Sequence, residues 1–373
     1  MKVPFNDLKL QYASLRPEMD AAIQNVLDTN AFIRGPAVGA FEEAFAAYLG
    51  GDVGVVGVGN GTDAIELALM ALGIGRDDEV IVPAMTFIAS AEPVALLGAK
   101  PVVVDVDPVT YTIDPKAVEA AITPKTKAII AVHLYGQPAD MDAIMDIAKR
   151  HNLKVIEDTA QGHGAKFKGR TVGTIGDAGT FSFFPGKNLG AYGDAGGLAS
   201  RHPEVIETVR RLRDHGRLPT EKFGHSILGV NSRLDTIQAA VLGVKLPHLA
   251  DWNVARARIA ARYDAGLADV VTTPVLGPDR THVYHLYVIQ TDDREALRKK
   301  LQDVGVASGI HYPEPIHLNP CMRDAYGYKD GQFPVSERTS ARILSLPIFP
   351  EMTDEQVDYV IASVRQALGA AAK

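Results

Sequence analysis

The sequence predicts an α/β protein: a large, mostly parallel sheet sandwiched by helices, followed by a smaller C-terminal α+β region. Three observations carry this. Between residues 52 and 158, strand-like apolar runs alternate with helical segments, and parallel neighbours need such crossovers. The runs DVGVVGV, EVIVPA, PVVVDV, KAIIAVHL and LKVIED are apolar almost throughout, as strands covered on both faces are. Near residues 245 to 255 the pattern changes to one alternating strand among helices.

Taken in order, Leu15, Met19, Ala22, Ile23, Val26 and Leu27 fall at helical spacing, as do Val38, Phe41, Phe45 and Leu49. Two amphipathic helices therefore open the chain, with NAFIRGPAVG as the loop between them. GNGTDAIELALMAL follows the first strand as a turn and helix, which Gly73 stops. TFIASAEPVALLGA reads as mostly helix, PKAVEAAI as a short helix and MDAIMDIAKRHN as a longer one. Thr180 to Phe184 reads as a strand, followed by a glycine-rich loop and GGLAS as a returning strand. PEVIETVRRLRDHG is a surface helix, and SRLDTIQAAVLGVKL and WNVARARIAARYDAGL are helices joined near Pro247. HVYHLYVIQ alternates as a half-exposed strand, REALRKKLQDVG is a helix, and MTDEQVDYVIASVRQALG closes the chain. We divide it into a large domain, residues 1–248 with a helical arm at its start, and a small domain, residues 249–373.

Composition narrows the class of function. A hydrophobic fraction of 46% with 22% charged residues suits an ordinary globular protein, and 373 residues suffice for two cores. A net charge of −7 argues against general nucleic-acid binding, which favours basic surfaces. The single cysteine, Cys321, excludes an intramolecular disulfide and a thiolate metal cluster and fits a reducing cytoplasm. MKVPFNDLKLQY lacks the apolar core of a signal peptide, and no run approaches a membrane span.

Ligands of an open parallel sheet bind beyond the carboxyl ends of its strands. Gly59-Asn60-Gly61-Thr62-Asp63 ends the first strand and opens a helix, so free N–H groups, the helix dipole and the Thr62 hydroxyl make a phosphate seat. A tight turn without ligand is the bland reading of that segment. A dinucleotide fingerprint is the other, but Thr62 replaces its third glycine, and Asp77, Asp78 and Glu79 precede the next strand instead of following it. Phe87, after the second strand, is either core or an aromatic face for a planar ligand. Asp158 ends a buried strand, where a carboxylate is costly unless paired or bonded; Gln161 follows it. Lys187 sits among Gly186, Gly190 and Gly193 after an aromatic run; burial would lower its pKa and free a neutral, nucleophilic amine. A solvated loop lysine is the ordinary alternative. Phosphate seat, aromatic, acid and lysine at the strand ends of one sheet are what pyridoxal phosphate needs.

These residues carry a resemblance that runs nearly end to end. GNGTDAIELALMALGIG, PAMTFIASAEPV, VHLYGQPADMDAI, VIEDTAQGHGA, SFFPGKNLGAYGDAGG, VNSRLDTIQAA and GIHYPEPIHL occur in the order found in the nucleotide-sugar aminotransferases of the DegT/DnrJ/StrS family, which have the fold-type I, aspartate aminotransferase-like architecture. The resemblance implies that Lys187 is the Schiff-base lysine and general base, and Asp158 the partner of the pyridine nitrogen. It puts Gln161 near the ring 3′-oxygen and Phe87 on the ring face. Gly61, Thr62 and Ser182 would hold the phosphate, with Asn231 reaching it from a neighbouring subunit of a homodimer. His311, Tyr312 and His317 resemble the family's sugar-side loop, and Tyr192 is a candidate sugar contact. L-glutamate is the implied amino donor, and amino sugars for O-antigen, lipopolysaccharide or glycosylated metabolites are the implied products. His133 and His163 are read as core histidines or site residues alike, and Arg233 as an interface ion pair. The histidines lack a zinc spacing, so no metal is expected.

The loop Pro185 to Asp194 resembles the branch acting on 3-keto sugars. The C-4 branch more often has asparagine before the lysine and a Thr-Thr-Gly-Glu-Gly run after it, and both are missing here. The expectation is a 3-keto-hexose on dTDP or UDP becoming a 3-amino sugar. The alternatives are amination at C-4, a nicotinamide oxidoreductase, and a non-catalytic regulator retaining the fold.

Overall fold

The computed structural model describes residues 1–218, 221 and 223–371. Its strands in chain order are β1 (Gly54–Val58), β2 (Glu79–Pro83), β3 (Lys100–Val104), β4 (Thr126–Val132), β5 (Lys154–Asp158), β6 (Lys166–Phe167), β7 (Arg170–Thr171), β8 (Ala178–Ser182), β9 (Gly196–Ser200), β10 (Tyr287–Gln290) and β11 (Ile343–Leu346). The helices over the first part are α1 (Leu8–Thr29), α2 (Pro36–Leu49), α3 (Gly61–Ala71), α4 (Glu92–Leu96), α5 (Pro115–Ala121), α6 (Met141–His151) and α7 (Pro203–Leu212). After them come α8 (Thr236–Lys245), α9 (Leu249–Leu267), α10 (Arg294–Asp303), α11 (Pro320–Tyr326), α12 (Pro334–Arg342) and α13 (Asp354–Ala367).

Seven strands form one sheet in the order β1-β9-β8-β5-β4-β2-β3. Pairs β2–β3, β2–β4, β4–β5 and β5–β8 are parallel, whereas β9 runs antiparallel to both its neighbours. The reason is local. Residues 183–195 between β8 and β9 form a helix-free loop at the end of the sheet where β8 leaves it, so β9 re-enters there and pairs antiparallel with β8. The chain folds straight back, so the glycine-rich loop stays at the edge where the parallel strands end. Helices cover both faces: Val56, Val80, Val82, Ile130 and Ile156 meet Ile65, Leu67 and Leu69 of α3 on one side. Ile81, Ile129 and Val155 meet Ile144 and Ile147 of α6 on the other.

β10 and β11 form a separate antiparallel pair, Tyr287 opposite Leu346, within a cluster that includes Ile259, Tyr263, Leu301, Val357 and Val360. Here the expectation of a half-exposed strand fails. Tyr287, Val288 and Ile289 are all buried, because α9 and α13 cover one face and the large sheet's apolar cluster reaches the other. β11 carries no alternation signal, being four residues between α12 and Pro347. The helix expected over 86–99 is broken into a 3-10 turn at Ile88–Ser90 and the short α4. Pro93 has no N–H, so it fits a helix's first turn but not its interior. Among the described residues, no helix is long and apolar enough to cross a membrane.

Candidate active site

The ends of five strands meet around one cavity of about 570 Å³. Asn60, Gly61, Thr62 and Asp63 follow β1; Thr86, Phe87 and Ser90 follow β2; Val132 ends β4; Asp158 ends β5, with Gln161 beyond it; and Ser182 ends β8. Because β9 runs backwards, its leading residues Asp194 and Ala195 arrive at the same wall, with Phe184 and Lys187 on the loop before it.

Asn60 caps α3, its side-chain oxygen accepting from Asp63 N at 2.9 Å. The N–H groups of Gly61 and Thr62 therefore open the helix without carbonyl partners inside it, at the positive end of its dipole. Gly61 has to be glycine: a Cβ there would lie 2.7 Å from Ser182 Cβ. Gly196 is equally constrained, since its Cβ would fall 2.3 Å from the Asn60 carbonyl carbon. Two glycines thus let β8, β9 and the α3 N-terminus close into a shallow seat.

Asp158 is buried and held by two donors, Ser90 Oγ to Oδ2 at 2.7 Å and Ala160 N to Oδ1 at 3.1 Å. Ser90 in turn shares a 2.8 Å contact with the Thr86 hydroxyl. Gln161 accepts from Tyr135 N at 2.6 Å and donates to the Tyr312 hydroxyl at 3.1 Å, which fixes the orientation of its amide. Phe87 is half-exposed, with its ring centroid 5.5 Å from that of Tyr312. The amine of Lys187 is pushed down to about 8 by removal from water, an effect that the charge of Asp158 partly offsets.

The structure thus gathers Gly61, Thr62, Phe87, Asp158, Gln161, Ser182, Lys187 and Tyr312 at one wall. Four expected residues lie elsewhere. His317 is wholly buried, its Nε2 3.0 Å from Glu337 Oε1 and its ring edge-on to Phe333, so this chain gives it no path to the cavity. Tyr192 turns away: its N donates to Gln238, and its ring faces the Lys245 amine at 4.3 Å. His311 stands behind Tyr312, Nδ1 at 2.8 Å from Ser345 Oγ and its ring against Phe5; burial first, then Lys187, lowers its pKa to about 4. Asn231 is exposed on a segment bridging to Asp214, outside this chain's own cavity.

The two undecided histidines also resolve into positions. His133 accepts from Ala139 N at Nδ1, so Nε2 bears the proton shared with buried Glu157 at 3.0 Å. Glu157 also receives the N–H groups of Gly173, Ile175 and Gly176. Burial would push its carboxyl up, but the His133 ring and the Gly173 and Gly176 N–H groups outweigh this and hold it below its ordinary value. This is a core hydrogen-bond hub. His163 lies against Phe181 and Phe183, its pKa lowered to about 3 by burial and, less strongly, by Lys187. Arg233 pairs with Asp214 at 3.3 Å within its own chain, as do Arg34 and Arg217.

Three residues escaped the sequence. Ser90 has no motif, and only the turn of Ile88–Ser90 aims it at Asp158. Asp194 reaches the wall because β9 reverses. Ser232, beside Asn231, donates to Asp63 at 2.6 Å and accepts from Gly59 N at 3.0 Å, tying a distant loop to the α3 N-terminus.

Comparison with known proteins agrees with this geometry. The model of the DegT/DnrJ/EryC1/StrS aminotransferase family matches residues 13–365. Three relatives, each covering 98% of this chain, are a "pleiotropic regulatory protein" of Geobacillus stearothermophilus (49% identical, 98% of that protein), a "dTDP-3-amino-3,4,6-trideoxy-alpha-D-glucose transaminase" of Streptomyces venezuelae (46%, 96%), and a "UDP-N-acetyl-3-dehydro-alpha-D-glucosamine 3-aminotransferase" of Acidithiobacillus ferrooxidans (45%, 98%). Among solved structures, S. venezuelae DesV in complex with a ketimine intermediate superposes with a TM-score of 0.96, at 46% identity over 99% of each chain.

The cavity's residues fit the cofactor of that family. Its seat of helix N–H groups suits a phosphate, the doubly anchored carboxylate suits a protonated ring nitrogen, and an amine of lowered pKa stands opposite. The chain belongs to the DegT/DnrJ/EryC1/StrS aminotransferase family and is a pyridoxal phosphate-dependent transaminase of fold type I.

Proposed function

We propose that this enzyme converts a 3-keto-hexose carried on a nucleoside diphosphate into the 3-amino sugar, with L-glutamate as amino donor. The observation that carries the proposal is the loop Pro185 to Asp194, which brings Lys187 and Asp194 to the cavity and resembles the loop of the 3-keto branch. Relatives at 45% and 46% identity are named for 3-amination of a UDP and a dTDP sugar, so the carbon is shared while the nucleotide varies. dTDP is the slightly favoured carrier.

When bound, pyridoxal phosphate supplies an electrophilic carbon and a cationic ring that withdraws electrons from it. Gly61, Thr62 and Ser182 would hold its phosphate, and Phe87 would offer a face to its ring. Gln161 would bond the ring oxygen, and Asp158 would keep the proton on the ring nitrogen. Lys187, neutral in part near pH 8, would hold the electrophilic carbon and, as a free amine, would take the proton from the donor's Cα. The sugar half-reaction uses the same groups in reverse. Tyr312 faces the incoming sugar, and His311 supports it from behind. Residues 1–248 form the cofactor-binding domain and 249–373 a smaller cap, in a cytoplasmic homodimer whose Asn231 completes the neighbouring site.

The test is chemical. Purified enzyme, glutamate and matched 3-keto and 4-keto nucleotide sugars are incubated, and the aminated carbon is read by NMR. Amination at C-3 is expected. Amination of the 4-keto compound alone overturns the assignment, and a borohydride-bleached visible band without turnover of any amino donor would point to a regulator.

A further inference from the structure

The residue that follows the reactive lysine is buried in the core. Asn188 is 3% exposed, yet its amide is fully engaged. Nδ2 donates to Asn253 Oδ1 at 2.9 Å and to the Val283 carbonyl at 2.9 Å, so Oδ1 must face the third partner, His285 Nδ1, at 3.2 Å. An amide oxygen only accepts, which places the His285 proton on Nδ1. Asn253 passes the connection on, its Nδ2 donating to the His163 carbonyl at 2.8 Å.

These bonds run through Asn253 of α9 and join three further parts of the chain. The first is the loop carrying Lys187. The second is the segment after β5, where His163 lies two residues beyond Gln161 and five beyond Asp158. The third is the run 282–286, which is itself bound to the turn after β4 by Val283 N to Gly136 O and Leu286 N to Tyr135 O. Tyr135 N is the donor that orients Gln161. A displacement of Asn188 would therefore change the place of Lys187 relative to both Asp158 and Gln161.

We propose that Asn188, Asn253 and His285 are positioning residues that clamp the Lys187 loop against the Asp158–Gln161 segment and keep water out from beneath it. This rests on Lys187 being the reactive amine of the proposed function. A loop held only by its glycines would let the amine wander, and a misplacement of about 1 Å costs about a hundredfold in rate. Asp158 favours the cation of this lysine, Asp194 lines the same cavity, and His163, His285 and His311 stand near it as buried imidazoles of lowered pKa. Arg256 adds a fixed positive charge next to His285. With the clamp closed, burial dominates and the amine titrates low; with it open, water solvates the cation and the titration moves up.

The test reads Lys187 directly. Full-length protein freed of cofactor is acylated with trace reagent from about pH 6 to about pH 11, and Lys187 labelling is followed by mass spectrometry. The wild-type inflection is expected near 8. In Asn188→Ala and His285→Leu it rises by about one pH unit or more, while His285→Gln, which retains a donor for Asn188, stays close to wild type. In the holoenzyme kcat of the first two falls about tenfold with KM within about twofold. An unchanged inflection in both, or a His285→Gln shift as large as that of His285→Leu, overturns the clamp. Should Asn188→Ala fail to fold, the two His285 variants decide alone. Labelling needs no sugar, so a wild type that labels as expected but aminates no 3-keto sugar removes the proposed function and leaves the clamp standing.

Discussion

Asp158 shows how little of a site residue's chemistry lies in its own side chain. A carboxylate at the end of a buried strand is costly, and here Ser90 and Ala160 each supply a donor that offsets the loss of water. Those two bonds also fix which way the carboxylate points. Asp158→Asn should keep cofactor in place but lower turnover by about a thousandfold or more, because a neutral amide cannot hold a proton on a pyridine nitrogen. Ser90→Ala removes one charge-assisted bond of about 1.5–3 kcal/mol and should lower turnover about tenfold to a hundredfold. Stopped-flow spectra of the donor half-reaction measure both. Equal rates in Asp158→Asn and wild type would assign the ring proton to another group. The aspartate was legible in the sequence as an acid at a strand end. The serine was not, since an unremarkable TFIAS gains its meaning only from the turn that aims it.

At the scale of elements, two features build the seat: the N-terminus of α3 and the reversal of β9. The first was legible, because GNGTD followed by an apolar helical run is a local signal. The second was legible as a returning strand, but not the reason glycines surround it. Gly61 and Gly196 are there because neighbouring backbone and Ser182 leave no room for a Cβ. Gly61→Val should push α3 and β8 apart, weakening cofactor binding by about tenfold, or about 1.4 kcal/mol, with a stability loss of about 1–3 kcal/mol. Equilibrium titration of cofactor against the variant, with thermal melting alongside, checks this; unaltered affinity would mean that the phosphate sits elsewhere. The short α4 and the unforeseen β11 fail in the sequence for the opposite reason. Their local patterns are weak, and packing decides them.

For the whole molecule, Asn231 is the instructive residue. It is exposed and outside its own chain's cavity, while its neighbour Ser232 bonds to Asp63 and Gly59 at the N-terminus of α3. The segment therefore touches the rim of one site and projects beyond it, as a residue shared across a homodimer would. Mixing an inactive Lys187→Ala chain with an inactive Asn231→Asp chain should restore activity, since one hybrid site then has both intact residues. Activity near a quarter of the wild-type level is the upper expectation for random pairing, roughly, with one competent site in each mixed dimer. Native mass spectrometry showing mixed dimers without any recovery would sink the idea of sharing.

The sequence by itself determined the alternation of strands and helices, the strand ends as the place to look, and Lys187, Asp158, Gln161 and the turn Asn60 to Asp63 as residues that line the cavity there. Those are properties of local order and residue type, which adjacent residues carry. The tertiary structure alone decided that His317 and Tyr192 lie away from the cavity, that His133 serves Glu157, that Ser90 anchors Asp158, and that Asn188 is bound from three sides. Each of those depends on a partner 20 or more residues away in the chain, as the Tyr192 ring depends on Lys245. No window along the sequence contains both partners, so only the packed molecule could pair them.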